Sequence, residues 1–205
     1  MKVFKNGLMT GMILQLAIGP VFFYIINLTL QKSFLDGLIA VIAVNIVDYI
    51  YIGLSIIGIG KLLEKKKVNK IFGIISSVIL VVFGVVIIKN VMGGAISTGA
   101  SADSATLLTS FTSAFLLTIS NPMTIVFYTS LFTAKAIEYS YTKRELLIFG
   151  LATGMATLIF MGSAVVLFSL VKETVPMTAI KIANLLVGGL LVGYGGVRMA
   201  KIIKK

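Results

Sequence analysis

The sequence contains no cysteine and no histidine. Disulfides, thiol redox chemistry and metal sites built from His or Cys are therefore excluded, and so is a proton relay through imidazole. Charge is scarce too. Of 205 residues, 12% are charged and 58% are hydrophobic, whereas a soluble domain carries about 25% charged residues. That leaves too little polar surface to cover a water-soluble globule, so the composition points to an integral membrane protein. The net charge of +11 does not indicate a nucleic-acid partner. The charges stand in short loops between apolar runs, where an excess of Lys and Arg is a topology signal.

What is abundant is long apolar stretches. A membrane-crossing helix needs about 20 mostly apolar residues. Six runs qualify: 7–31, 35–60, 71–92, 107–133, 146–171 and 178–200. Strands of a membrane barrel would be about ten residues long and alternate in polarity. These runs do neither, so the expected class is all-α, with six transmembrane helices. The basic start "MKVFKNG" resembles that of a signal peptide, but the apolar run after it is too long and no small-x-small cleavage site follows. It reads as a first spanning helix that is retained.

Six spans place four basic segments on one side: Lys2 and Lys5; Lys61, Lys65, Lys66, Lys67 and Lys70; Lys135, Lys143 and Arg144; Arg198, Lys201, Lys204 and Lys205. The other side has only Lys32, Lys89, Lys172 and Lys181. Basic residues favour the cytoplasm. The expectation is a multi-pass protein of the cell membrane with both termini cytoplasmic. The "KLLEKKK" run at 61–67 reads as a topology anchor, with binding of anionic lipid as the alternative.

The stretch 93–106, "GGAISTGASADSAT", has no apolar period and reads as a flexible extracytoplasmic linker. It divides one transporter-like domain, 1–205, into repeat A (1–92) and repeat B (107–205). The halves resemble each other. "GPVFFYIINLTL" at 19–30 falls on "NPMTIVFYTSLF" at 121–132, "GLIAVIAV" at 37–44 on "GLATGMAT" at 150–157, and "NKIFGIISSVILVVFGVV" at 69–86 on "IKIANLLVGGLLVGYGGV" at 180–197. Three helices per half give the halves opposite orientations. The result is an inverted repeat, as in many secondary transporters. Gly188, Gly189, Gly193, Gly195 and Gly196 in the last run are expected to allow close helix contact.

Three unusual features fall at one depth. Gly19–Pro20 lies mid-way along the first run, Asn121–Pro122 mid-way along the fourth, and Asp48 mid-way along the second. Proline lacks a backbone donor and clashes with the carbonyl four residues earlier, so each should break its helix. A broken helix in a membrane is tolerated where protein or a watery cavity surrounds it. The half-helix that follows points bare N–H groups into that cavity and attracts anions such as a carboxylate. The competing reading is a pair of packing kinks.

Asp48 costs about 2.5–3.5 kcal/mol at mid-membrane on insertion scales. Burial without a cation favours its neutral form, so it can exchange a proton; alternatively it meets an ammonium group directly. A structural reading, a helix–helix hydrogen bond from a protonated acid, competes with both. Asn45, one turn earlier on the same face, can orient the carboxyl group or bind substrate. Gln15, Tyr24 and Ser120 are further candidates for the same cavity.

The ordered set of Gly19–Pro20, Asp48 and "SNPMTIVFY" at 120–128 resembles the LysE-type amino-acid exporters, including the homoserine/threonine (RhtB-like) branch. The resemblance covers nearly the whole chain. It implies efflux of amino acids from the bacterial cytoplasm, driven by the proton gradient or the membrane potential. Gly19–Pro20 stand where the family's first helix has Pro-Gly-Pro, Asp48 at its helix 2 acid, and Asn121–Pro122 at its Asn-Pro. This chain departs from the pattern at Ile18, which replaces the first proline. Met123 stands where many RhtB-like members have lysine, and Phe127 where exporters of basic amino acids have an acid.

The expectation is therefore an exporter of small neutral amino acids, not an enzyme, with no cofactor. Gly19, Pro20, Asn45, Asp48, Ser120, Asn121 and Pro122 are its candidate substrate-binding residues, with Gln15 and Tyr24, and Asp48 its candidate proton-coupling residue. Partners are the amino acid, protons and the bilayer. Bundles this small often pair, so a homodimer is a prior. The alternatives are export of a metal cation or another small solute, and a non-transporting membrane scaffold.

Overall fold

The computed structural model describes residues 1–16, 18–58, 66–92 and 104–204. Among them the regular structure is entirely helical: α1 (Lys2–Gln15), α2 (Pro20–Gln31), α3 (Phe34–Ile57), α4 (Lys66–Met92), α5 (Ser104–Ile119), α6 (Pro122–Tyr139), α7 (Lys143–Val171) and α8 (Met177–Ile203), with a 3₁₀ turn at Lys172–Thr174. Most of the expected linker, 93–103, and residues 61–65 of the basic run lie outside the described residues.

Proline decides where the first and fourth apolar runs divide. α2 starts on Pro20, with Gly19 extended at its N-cap, and α6 starts on Pro122. The axes turn by 79° between Lys2–Gln15 and Pro20–Gln31, and by 61° between Leu107–Ile119 and Thr124–Tyr139. The other ends follow local chemistry. Ser33 caps α3, its hydroxyl accepting from the Asp36 amide. Gly58 ends α3 at φ 85°, a left-handed conformation that glycine adopts without the Cβ penalty. Thr142 and Glu145 form a reciprocal capping box at the start of α7.

Among the described residues three helices are long and apolar enough to cross a membrane: α3, α7 and Thr178–Ile203 of α8. Each bent pair makes one further candidate, for up to five. In α4 the apolar part, Gly73–Lys89, is shorter. The helix after the second break runs on to Tyr139, so Lys135 is on α6 and not in a loop as its sequence position suggested. There it pairs with Glu138 at 2.8 Å.

Small residues set how the helices meet. In lipid no hydrophobic gain separates helix from lipid contact, so close van der Waals packing carries association. α1 lies along α7 in parallel register. A Cβ on Gly11 would come within 2.6 Å of Ala156 Cβ and 2.8 Å of the Thr153 carbonyl, and Gly7 sits equally tightly on the Phe149 carbonyl. α4 and α8 run antiparallel, Gly84 against Gly188 and Gly195 against Ser77–Val81. Gly189, Gly193 and Gly196 meet nothing within 4 Å. The expectation that all five glycines of the last helix mediate contact is corrected: only one face of α8 meets α4, and those three point elsewhere.

α3 is the most enclosed span, with Val41, Val44 and Val47 buried in two apolar clusters. Polar ties hold its ends. Asp36, buried, accepts from Ser33 Oγ at 2.6 Å and from Ser110 Oγ of α5 at 2.5 Å. Between α2 and α8, Gln31 Nε2 donates to the side-chain oxygens of both Asn27 and Asn184.

Candidate functional site

Asp48 stands mid-way along α3 and is only 6% exposed. Its Oδ2 accepts from the Thr157 hydroxyl of α7 at 2.8 Å, and the Tyr128 side chain of α6 hydrogen-bonds it as well. Thr157 Oγ1 in turn accepts from Gln15 Nε2 at 2.7 Å. A continuous chain, Gln15 to Thr157 to Asp48, therefore joins the last residue of α1 before the first break to the buried acid. Among the described residues the only ion pair is Lys135–Glu138, so no cation pairs with Asp48 there.

A cavity of about 370 Å³ opens beside this chain, at the small end of the range of ligand sites. Gln15, Gly19, Pro20, Asp48, Asn121 and Tyr128 line it, so both helix breaks and the buried acid share one cavity. The remaining wall is mostly apolar, with Leu14, Val21, Phe22 and Met161. Ile18 and Phe127, two of the departures in sequence, face the same space.

The breaks leave backbone groups that need partners. The Gly19 carbonyl takes the amides of Phe22 at 3.1 Å and Phe23 at 3.4 Å, and no side chain caps α2. The positive end of α2 thus reaches the cavity through Gly19 and Pro20. At the second break the Asn121 carbonyl accepts from Thr124 N at 3.2 Å. The carbonyl of Ile119, at the end of α5, accepts from the Tyr51 hydroxyl at 2.5 Å. Tyr51 belongs to the same "NIVDYIY" stretch of α3 as Asp48, so α3 both carries the acid and satisfies the break.

The other candidates sit elsewhere. Asn45 is buried and donates to the Gly154 carbonyl at 2.7 Å, which ties α3 to α7 outside the cavity lining. Tyr24 is buried with its ring edge-on to Phe83, centroids 5.9 Å apart. Ser120 is buried and donates back to the Leu116 carbonyl. Pro122 opens α6. The sequence reading missed Thr157, Tyr128, Tyr51 and Thr124. Thr157 falls at the end of the aligned "GLATGMAT" segment, but one threonine among many carries no signal until its neighbour is known.

Thr157→Val keeps the shape and removes the hydroxyl. Losing it leaves Gln15 and Asp48 each short of a buried partner, a penalty of about 1–3 kcal/mol. Transport by reconstituted protein should fall about tenfold or more while the folded fraction is unchanged; a wild-type rate would exclude the chain from function.

The family model for the LysE type translocator matches residues 12–201. The chain belongs to the LysE type translocator family. No curated protein and no solved structure matches it. The match takes in both breaks, Asp48, Thr157 and the whole cavity lining. With its apolar helices, membership makes this chain a multi-pass membrane translocator of small solutes, of a transporter rather than an enzyme family.

Proposed function

We propose that this LysE-family translocator exports small neutral amino acids from the bacterial cytoplasm across the cell membrane, coupled to the proton gradient or the membrane potential. One observation carries the reading: a single cavity is lined at once by Asp48 and by both helix breaks. The α2 and α6 ends offer positive dipoles to a substrate carboxylate. Asp48 carries the proton or meets the amino group. Its chain to Gln15 links the acid's protonation to the position of α1, which packs on α7. A neutral substrate is favoured because Asp48 is the one acid on the cavity wall and Phe127 faces the space where a second would serve a cationic substrate. An RhtB-like affiliation within the family agrees with this preference.

Packing directions support an inverted repeat, in which α4, apolar over Gly73–Lys89, would be the sixth span. α1 runs parallel to α7, with Gly11 beside Thr153 and Ala156 and Gln15 beside Thr157. α3 runs parallel to α5, through Asp36–Ser110 and Tyr51–Ile119. Exchanging the halves turns the first relation into the second. The antiparallel α4–α8 and α3–α7 pairs, the latter through Gly37–Val165, Tyr49–Leu151 and Ile52–Gly150, map onto themselves. In such a molecule the halves rock about a central site to give alternating access. The basic segments then put both termini in the cytoplasm.

The test is an export screen of all the common amino acids in proteoliposomes, with and without a pH gradient. A gradient-stimulated flux confined to small neutral amino acids is expected. Absence of amino-acid flux under every condition would overturn the reading.

A further inference from the structure

Three amides, two of them buried, meet away from the cavity. Asn27 and Gln31 are one turn apart on α2, and Asn184 of α8 faces them. Gln31 Nε2 donates to both asparagine oxygens. Asn27 and Asn184 are only 4% and 1% exposed, and among the described residues the Nδ2 of each finds no hydrogen-bond partner. Turning all three amides end for end would trade two orphan donors for two orphan acceptors, so these groups cannot satisfy one another. Buried polar groups are normally paired, and an unpaired one carries a desolvation cost that water would remove. Closing this seam is therefore penalised, and hydration favours opening it.

The seam joins two bodies. α4 and α8 are locked by backbone contact, Gly84 on Gly188 and Gly195 on the Ser77 carbonyl. α1, α3, α5 and α7 are tied to one another through Gly7 on Phe149, Asp36–Ser110 and Tyr49–Leu151. α2 is fastened to this second group, where a Cβ on Gly37 would collide with Thr29 Oγ1 and meet Val165 Cγ1 at 3.0 Å. α8 lies against α2, whereas α4 touches α6 only sparsely. In the aligned repeats α2–α8 and α6–α4 are mates, yet the amide tie has no counterpart. Thr129 and Gly73 stand where Asn27 and Asn184 do; the Thr129 hydroxyl lies 3.2 Å from Ser55 Oγ of α3, and Gly73 has no side chain. We infer that the α4–α8 pair rocks as one body, and that the Asn27–Gln31–Asn184 seam is the gate at the end of the bundle away from the chain termini, shut in this structure. This rests on the inverted-repeat reading above and deepens it. Opening parts α8 from α2 and brings α4 onto α6, the mirror arrangement. Arg198 Nη1 of α8 donates to Asn121 Oδ1 at 3.3 Å, and Asn121 lines the cavity, so movement of α8 is felt at the second break.

The chain has no cysteine, so an introduced thiol is the only one present. Asn184→Cys in sealed vesicles, with the end away from the termini exposed and a pH gradient imposed, is treated with a membrane-impermeant methanethiosulfonate. Val165→Cys is the control, a position equally buried but in the α3–α7 contact that the gate leaves shut. Labelling follows the population of the open state, so Asn184→Cys is expected to react at least about tenfold faster. The second variant is Asn27→Cys with Asn184→Cys. Both native oxygens touch one nitrogen of Gln31, so a short bis-methanethiosulfonate can span the two thiols. Bridging should lower the flux of the amino acid found in the screen about tenfold or more, because a transporter held shut cannot cycle, and reductant should restore it. Labelling of Asn184→Cys no faster than of Val165→Cys overturns the inference, and so does full flux in the bridged protein; either result leaves the exporter reading standing. The labelling needs no known substrate, so a screen without amino-acid flux sinks the exporter reading while the gate is judged separately.

Discussion

Replacing Asp48 with asparagine is expected to abolish stimulation of export by a pH gradient while the protein still folds and inserts. Asparagine is close in size to aspartate and its side-chain oxygen can still accept from Thr157, so the packing of α3 on α7 should persist. What disappears is the group that can bind or release a proton. If Asp48 also meets the substrate's ammonium, the loss of a charge-assisted hydrogen bond of about 1.5–3 kcal/mol raises KM about tenfold to 150-fold. The two roles separate in one experiment. A proton carrier that is lost leaves residual exchange insensitive to pH, with KM little changed; a lost ammonium contact raises KM at every pH. Export that matches wild type across pH would remove Asp48 from the mechanism altogether.

Gly84→Val should loosen the bundle more than any conservative change in the cavity. A Cβ at Gly84 would stand 2.6 Å from the Gly188 carbonyl oxygen, 2.7 Å from Val192 Cγ2 and 2.9 Å from the Val192 amide nitrogen. Two of these three atoms are backbone, so no rotamer change relieves the clash and α4 must move off α8. Overpacking costs about 1–3 kcal/mol, which corresponds to a fall in Tm of about 2–12 °C for a chain of this size. Gly193→Val is the control, since a Cβ there meets nothing within 4 Å, and it should leave Tm within about a degree or raise it, valine being the better helix former. Thermal unfolding of the purified protein in detergent measures both. Equal melting of the two variants would show that the α4–α8 seam does not limit stability.

The glycines of α8 show what a sequence can and cannot tell about packing. Five of them in nine residues announce that something approaches this helix closely. Which two are used depends on how α8 is rotated against α4, and that rotation is fixed by residues more than a hundred positions away. The same holds at the cavity. Asp48, Gly19–Pro20 and Asn121 were legible because each breaks a local rule: an acid or a helix-breaker in an apolar run has a cost that composition alone exposes. Asn45 shares a helical face with Asp48, which suggests that it orients the carboxyl group or binds substrate, yet its amide meets the Gly154 carbonyl. Tyr24, placed by its spacing from Pro20, turns into the core against Phe83.

By itself the sequence determined that this chain lives in a membrane, where its helices run and where two of them break. These follow from properties carried by single residues and short windows: transfer cost, helix length and the missing N–H of proline. Only the tertiary structure decided that the two breaks and the acid face one cavity, that Thr157 and Tyr128 hold Asp48, and that Arg198 reaches Asn121. Each of those facts depends on the rotation and register of helices distant in sequence, set by backbone contacts such as Gly7 on Phe149 and Gly84 on Gly188, which no local pattern encodes.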